Sequence, residues 1–258
     1  MTRRHFLDRR DPSLVEEMDR QDCDPGKLDR TYAQFGLVNA VVSGWRRTYT
    51  TLLRPAFSAD RVNTLLDIGS GGGDLPRTLA RWAALDGLDL DITAIDPDAR
   101  AHAFATSRPP LAGISFRRAL SSELVAEGAA FDAVVSNHVL HHLDPEQLDG
   151  LLADTERLTR RIAVHGDISR HPLGYALFSA ATLPLPGSYI REDGLTSIRR
   201  SYTPAELANT VAGRAGWDVR TARPFINLLV LDRRSPERTE PESESESESE
   251  SVGAQHGA

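Results

Sequence analysis

The run Thr64-Leu65-Leu66-Asp67-Ile68-Gly69-Ser70-Gly71-Gly72-Gly73-Asp74 constrains this chain more than any other. Its apolar half reads as a buried strand ending in a carboxylate. Glycine then falls at 69, 71, 72 and 73. Glycine at that density marks a backbone that turns sharply and approaches another group closely. Leu75 to Ala84 follows with helical character. A strand, a glycine loop and a helix in that order point free helix N–H groups at a ligand, as in nucleotide-binding α/β units. A dinucleotide site needs G-x-G-x-x-G/A. Counted from Gly69, the sixth position is Asp74, a carboxylate that would repel a pyrophosphate. The spacing present is D-x-G-x-G-x-G, over Asp67, Gly69, Gly71 and Gly73.

Two further segments repeat the strand-then-polar-tip pattern. Leu90 to Ile95 is a strand ending in Asp96, 23 residues beyond Gly73, and Pro97 then opens a helix from Asp98 to Ala105. A carboxylate at such a strand tip can accept hydrogen bonds from both hydroxyls of a ribose. Phe131-Asp132-Ala133-Val134-Val135-Ser136-Asn137-His138-Val139-Leu140-His141-His142-Leu143 is an apolar strand closing on a Ser-Asn-His step and a short turn.

In this order and spacing the three segments resemble the class I S-adenosylmethionine-dependent methyltransferases. The glycine loop is similar to their first motif, and Phe131 to Leu143 to their fourth strand and its loop, F-D-x-V-x-S-x-x-V-L-H-H-L. The resemblance runs from about Leu65 to Asp232. It implies S-adenosyl-L-methionine as cofactor, a sulfonium and ammonium without phosphate, for which nearby carboxylates are favourable. It also implies a set of cofactor-binding residues: Asp67, Gly69, Ser70, Gly71, Gly73, Asp96, Pro97, Asn137 and His138. The family often sets an acidic residue against adenine after its third strand. Here Arg117-Arg118-Ala119-Leu120-Ser121-Ser122 has none, so backbone near Ala119 and Leu120 is expected in its place.

Strands alternating with helical stretches predict an α/β fold: a Rossmann-like, seven-stranded, mostly parallel sheet with helices on both faces. Further helices are expected over Pro145–Thr159 and Pro204–Ala215, and strands near Ile114–Arg118, Arg161–His165, Trp217–Ala222 and Ile226–Asp232. The last two strands are expected to form a hairpin near Pro224, and the resemblance implies an antiparallel final strand. Residues 1–60 form an expected N-terminal helical cap. Its apolar face recurs at steps of three or four through Leu28, Tyr32, Phe35, Val38, Val42, Trp45, Tyr49 and Leu52. Residues 61–235 are the core, with an apolar insertion at 169–201 that sits where ligands bind in open sheets. Two readings of it stand, a lid over a hydrophobic substrate and a homodimer interface. Residues 236–258 carry five Glu-Ser repeats and are expected to be a disordered acidic tail.

Charge and cysteine content exclude several classes. The net charge of −7 comes almost wholly from the tail, which leaves the body near neutral and argues against a nucleic-acid partner. The lone Cys23 allows no internal disulfide. No run is long enough to span a membrane, and no signal segment follows Met1, so a cytoplasmic location is expected. No H-E-x-x-H or similar ligand spacing occurs, and no metal is expected.

The activity these features imply is methyl transfer from S-adenosylmethionine to a small hydrophobic or phenolic, polyketide-like acceptor, most simply on oxygen, as in secondary metabolism. Carbon or nitrogen methylation of the quinone-biosynthesis type, a nicotinamide or flavin oxidoreductase, and a non-catalytic cofactor-binding protein stand as alternatives. Asp167 and His138 are the preferred catalytic residues; His165 and His171 are further candidates for a base, and at least one of His141 and His142 is read as a packing or helix-start residue. Arg191, Arg199 and Arg200 flank the insertion and read first as surface charge, with docking of the insertion by salt bridges or contact with an acidic substrate group as alternatives.

Overall fold

The computed structural model describes residues 6–42, 44–183, 187–223 and 225–234, without the side chains of 35–42 and 223. The expected acidic tail and Pro224 lie outside the described residues. In chain order the elements are α1 (Pro25–Val42), α2 (Trp45–Thr48), β1 (Asn63–Ile68), α3 (Asp74–Leu85), β2 (Leu90–Ile95), α4 (Ala99–Ser107), β3 (Ile114–Arg117), α5 (Ser121–Ala126), β4 (Phe131–Asn137), α6 (Pro145–Leu158), β5 (Thr159–Ile168), α7 (Pro172–Ala181), α8 (Ile190–Arg200), α9 (Pro204–Thr210), β6 (Trp217–Arg223) and β7 (Ile226–Asp232).

Local chemistry sets the helix ends. Gly73 starts α3 from a left-handed conformation, and Leu75, Leu79 and Ala83 then fall on one buried stripe. Asp144 and Gln147 form a reciprocal capping box at α6, with Pro145 in the first turn, and Thr203 and Glu206 do the same at α9. Each such cap is worth about 1 kcal/mol. The α9 helix ends at Thr210, short of the expected Ala215, because the chain turns before Gly213 and Gly216, both at positive φ. The short helix α5 carries no periodic apolar signal in the sequence.

The seven strands form one sheet in the order β3-β2-β1-β4-β5-β7-β6. Pairs from β3 across to β5 are parallel; β7 runs antiparallel between β5 and β6. Side chains alternate between faces with period two, so neighbouring residues feed opposite layers. Leu65, Val135, Val164 and Val230 pack with Trp45, Tyr49, Leu53 and Leu79 on one face. Leu66, Val134, Ala163 and Leu229 pack with Leu148, Leu152 and Leu207 on the other. The chain leaves β1 in one direction toward β2 and β3, then returns to β4 on its other side. Ligands of open α/β sheets bind outside the strand carboxyl ends at such a reversal.

Residues 6–24 do more than lead into α1. Arg170 donates to the carbonyl of Leu7 at 3.0 Å, and Asp11 pairs with Arg199 at 3.3 Å. Asp193 on α8 accepts from the backbone of Glu17 and Met18 at 2.6 and 3.1 Å. This segment is therefore strapped across α8, over the carboxyl end of the sheet. Arg191 docks α8 on α7 through Ser179 and Thr182, and Arg200 donates to the carbonyls of His141 and His142. The three arginines thus fasten the insertion; Arg200 is only 7% exposed, which rules out surface charge for it. Among the described residues no helix is long and apolar enough to cross a membrane.

Candidate active site

A cavity of about 400 Å³ lies at the β1/β4 reversal, walled by the glycine loop, the β2 tip, the β4 tip, α8, α7 and the N-terminal strap. The glycine loop is shaped by what surrounds it. Gly69 sits at φ +69, and a Cβ there would meet Val139 at 2.6 Å. Gly71 is at φ +52 with open space beside it, and its N–H donates to Asp96 at 2.9 Å. Asp96 also accepts from Asp98 N at 2.8 Å, which fixes the carboxylate at the cavity edge. Burial pushes the Asp96 carboxyl upward against these two hydrogen bonds.

Asp67 is 1% exposed, lines the cavity, and has neither carboxylate oxygen hydrogen-bonded. Burial, then the nearby charges of Asp74 and Asp96, pushes its carboxyl well above the usual range. A buried carboxylate left this way is costly unless a cation or donor meets it.

The opposite wall is built around His141. Its backbone N–H donates to Asp167 Oδ2 and its Nδ1 faces Asp167 Oδ1, both at 2.8 Å. On its other side Nε2 lies 3.2 Å from Glu16 Oε1, off the hydrogen-bond axis. Burial alone would lower the His141 ring; the Asp167 and Glu16 carboxylates override it and hold the ring up at about 10. Burial would raise Asp167 and Glu16, but the same ring pulls Asp167 far below the usual carboxylate range and Glu16 down to about 2. His142 faces Asp19 at 3.2 Å, and Ser197 donates to Glu16 at 2.7 Å. His138 follows β4 with φ 59, a conformation that costs about 1–3 kcal/mol in a non-glycine residue. Its ring lines the cavity, 29% exposed, with Nδ1 3.6 Å from Asp167 Oδ1.

The comparisons with known proteins bear on this layout. The model of a methyltransferase domain matches residues 65–161, from β1 to the start of β5. This stretch is a methyltransferase domain. A curated relative, the ubiquinone biosynthesis O-methyltransferase of Caulobacter vibrioides, is 40% identical over 86 residues, 32% of each chain. The matching stretch thus spans about a third of that relative. Two solved structures share the fold over 81% of this chain. The plantazolicin methyltransferase BpumL, in complex with SAH, is 13% identical with a TM-score of 0.55 and 96% of its chain covered. Human N-acetylserotonin methyltransferase, in complex with SAM, is 15% identical with a TM-score of 0.57 and 56% covered.

Within this methyltransferase domain the cavity walls include Asp67, Gly69, Ser70, Gly71, Asp96, Pro97, Asn137 and His138. Four expected site residues fall elsewhere. Gly73 stands behind the loop, where a Cβ would meet the Phe116 ring at 2.7 Å; its glycine serves close packing. Ala119 is buried and Leu120 half-exposed, and the cavity walls contain neither. Asp167 lies inside β5, shielded by His138 and His141, so it reaches the cavity only through them. A carboxylate held so far below its usual range is also a poor base. His165 faces Ser136 and Thr155 inside the sheet, and burial pushes it down to about 4. His171 caps α7 at the surface.

Sequence reasoning did not single out Glu16, Asp19, Asp193 or Ser197, and took at least one of His141 and His142 for a packing or helix-start residue. Nothing along the chain links Glu16 to His141. The available signal was an isolated acidic run, Glu16-Glu17-Met18-Asp19, ahead of α1. The insertion's inner side, through Phe178, Ile190 and Gly194, lines the cavity, and its outer side exposes Leu173 and Leu177 at 54% each.

Proposed function

We propose that this protein transfers the methyl group of S-adenosyl-L-methionine to a small hydrophobic or phenolic acceptor, on oxygen. The observation that carries the reading is Asp67. Two unpaired, buried carboxylate oxygens beside Asp96 favour a ligand with positive charge and hydroxyl donors, and oppose one with a pyrophosphate. Asp67 would face the cofactor's ammonium, Asp96 its ribose hydroxyls, and Pro97 and Ala101 the flat base. Bound there, the cofactor supplies a methyl carbon already activated by the sulfonium.

The chain's own residues do the rest. The insertion and the strap exclude water, and orientation of a nucleophile against a reactive carbon can supply about 7 kcal/mol or more. His138 is the general base in this reading. Its ring takes the phenol proton, and Asp167 behind it steadies the resulting imidazolium. Phe178, Ile190 and Ile198 offer the apolar surface a ring would lie against. A homodimer through the outer face of α7 and a cytoplasmic location belong to the same proposal.

A second reading, methylation of an amine, draws support from Glu16, Asp19 and Asp193 in the acceptor wall. Calorimetry with S-adenosylmethionine, its demethylated product and NAD⁺, followed by transfer of labelled methyl to phenol and amine panels, tests both. The expected result is binding of the first two and labelled phenols. Binding of NAD⁺ alone would remove the methyltransferase reading, and labelled amines alone would move the methyl to nitrogen.

A further inference from the structure

We propose that Glu16, His141 and His142 form a divalent-metal site of the zinc type in the acceptor wall of the cavity. The three residues offer ligand atoms that all lie within 4.8 Å of one another. Glu16 Oε1 is 3.2 Å from His141 Nε2, and Glu16 Oε2 is 3.9 Å from His142 Nε2. Ligand atoms at about 2.0–2.2 Å from one tetrahedral zinc stand ~3.4 Å apart. The carboxylate and two imidazoles therefore stand close enough that small side-chain shifts would bring them round one ion.

Three independent features point the same way. First, His141 Nε2 belongs to a ring only 2% exposed and lies 3.2 Å from Glu16 Oε1 without the alignment of a hydrogen bond. Second, the other ring nitrogen is held by Asp167 at 2.8 Å, and Asp167 Oδ2 also takes the His141 N–H. A carboxylate behind the far nitrogen is how metal-ligating histidines are usually oriented, and the ion would take the place of the proton that the ring carries at Nε2. Third, the turn bearing both histidines is clamped by its carbonyls: Arg10 holds that of His141 at 2.9 Å, and Arg200 those of His141 and His142 at 3.3 and 3.2 Å. The two imidazoles are thus placed on rigid backbone.

Charge agrees with geometry. Asp19 and Asp193 line the same wall, so Glu16, Asp19, Asp167 and Asp193 gather around the histidine turn. The guanidinium groups that face them include Arg200, 3.8 Å from Asp19, and Arg10, which holds the His141 carbonyl and feels the Asp167 charge. A phenolate formed next to these carboxylates would be repelled; a divalent cation reverses that local field. Three protein ligands leave a fourth position open to the cavity, the arrangement of catalytic rather than structural zinc. The acceptor hydroxyl would occupy it, lose its proton to His138, and remain as a metal-held oxyanion. That role rests on the function proposed above, whereas the binding of the metal does not.

The test uses the full, tag-free chain, stripped with a chelator and reloaded with Zn²⁺ or Co²⁺. We expect one equivalent of metal by mass spectrometry and the visible ligand-field bands of low-coordinate Co²⁺. Affinity should fall by at least the roughly 10- to 100-fold that loss of an outer-shell partner typically costs in His142→Gln and in Glu16→Gln, both checked for folding by circular dichroism, and stay unchanged in the surface variant His171→Gln. No stoichiometric uptake, or uptake that His142→Gln and Glu16→Gln leave intact, overturns the site. A metal-free chain that binds amine acceptors and loses them in Glu16→Gln also overturns it, and assigns the carboxylates to a cationic substrate. Calorimetry with the demethylated cofactor on the same samples keeps the two proposals apart. Metal uptake without cofactor binding would sink the methyl-transfer reading alone.

Discussion

The glycine-loop end of the cavity comes from two short stretches, 67–75 and 96–101, each continuous in the chain. The histidine end comes from Glu16, His138–His142, Asp167 and α8, up to 181 residues apart between Glu16 and Ser197. The two ends also differ in how their charges are met. At the glycine loop, Asp67 is buried with no hydrogen-bonding partner, waiting on a ligand. At the histidine end, Glu16 and Asp167 are met inside the protein by His141. One end holds its unsatisfied charge for binding; the other uses its charges to fasten the strap to the sheet. Substitutions at the two ends should therefore show up in different measurements.

The largest effect is expected at the histidine end. Asp167→Ala removes the carboxylate that holds His141 by two contacts and leaves a buried ring facing Glu16 alone. Breaking a buried pair from one side costs about 3–5 kcal/mol. Chemical denaturation should show a loss of that order, together with release of the strap, seen as faster proteolysis near Glu16. A variant with native stability would mean that His141 does not depend on Asp167, and the contrast between the ends would fail.

Next in size is Asp96→Ala, at the loop end. Stability should change little beyond the two backbone N–H groups it frees. Affinity for the demethylated cofactor should fall about 10- to 100-fold, since hydrogen bonds to a charged group are worth about 1.5–3 kcal/mol each. Calorimetry showing native affinity with a large stability loss would invert the comparison and make this end structural as well.

This contrast explains what the sequence could disclose. The strands, α3, α4 and α6 appear where periodicity and caps put them, because Leu75, Leu79 and Ala83, or Asp144 and Gln147, act within one helix. The loop end was readable because Asp67, Gly69, Gly71 and Asp96 carry their geometry in local spacing. The insertion was legible only as an apolar interruption; that it becomes two helices, with Phe178 packed on Gly194, is tertiary. Glu16 was invisible because its role depends on the strap crossing α8. Gly73 stands outside the cavity wall, and a glycine needed for backbone approach to a ring and one needed at a ligand look the same in sequence. Asp167 was placed at a strand end, but β5 runs on to Ile168, so the carboxylate is enclosed.

A third prediction uses the amino-terminal start of the central strand β4, which belongs to neither end. Asp132 accepts from Arg61 at 2.7 and 2.8 Å and from Thr64 N at 3.0 Å, and this holds it down at about 2. Its folded pKa is below the unfolded value near 3.9. The stabilisation is therefore complete above that value and is lost as pH falls through it toward 2, roughly 2 kcal/mol in all. Asp132→Asn should flatten the acid limb of a stability–pH curve by about this much and leave cofactor affinity untouched. An unchanged acid limb would show that the Arg61 pair is too open to solvent to matter.

The smallest effect separates the acceptor wall from everything else. Gly194 lies inside α8, and a Cβ there would meet the tip of the Phe178 ring at 2.2 Å. Alanine in a helix interior is favoured over glycine by about 1 kcal/mol, while the ring must swing aside at a similar cost. Net stability should thus stay within about 1 kcal/mol of native. The displaced ring, however, lines the cavity on the insertion side and touches neither Asp67 nor Asp96. Gly194→Ala should therefore raise the acceptor KM several-fold with cofactor affinity unchanged, provided the insertion is a lid. If α7 instead serves only as an interface between copies through Leu173 and Leu177, the substitution should leave acceptor KM alone, and disruption of that outer face should change the oligomeric state. Steady-state kinetics on one variant and sedimentation on the other thus decide which face of the insertion carries its function.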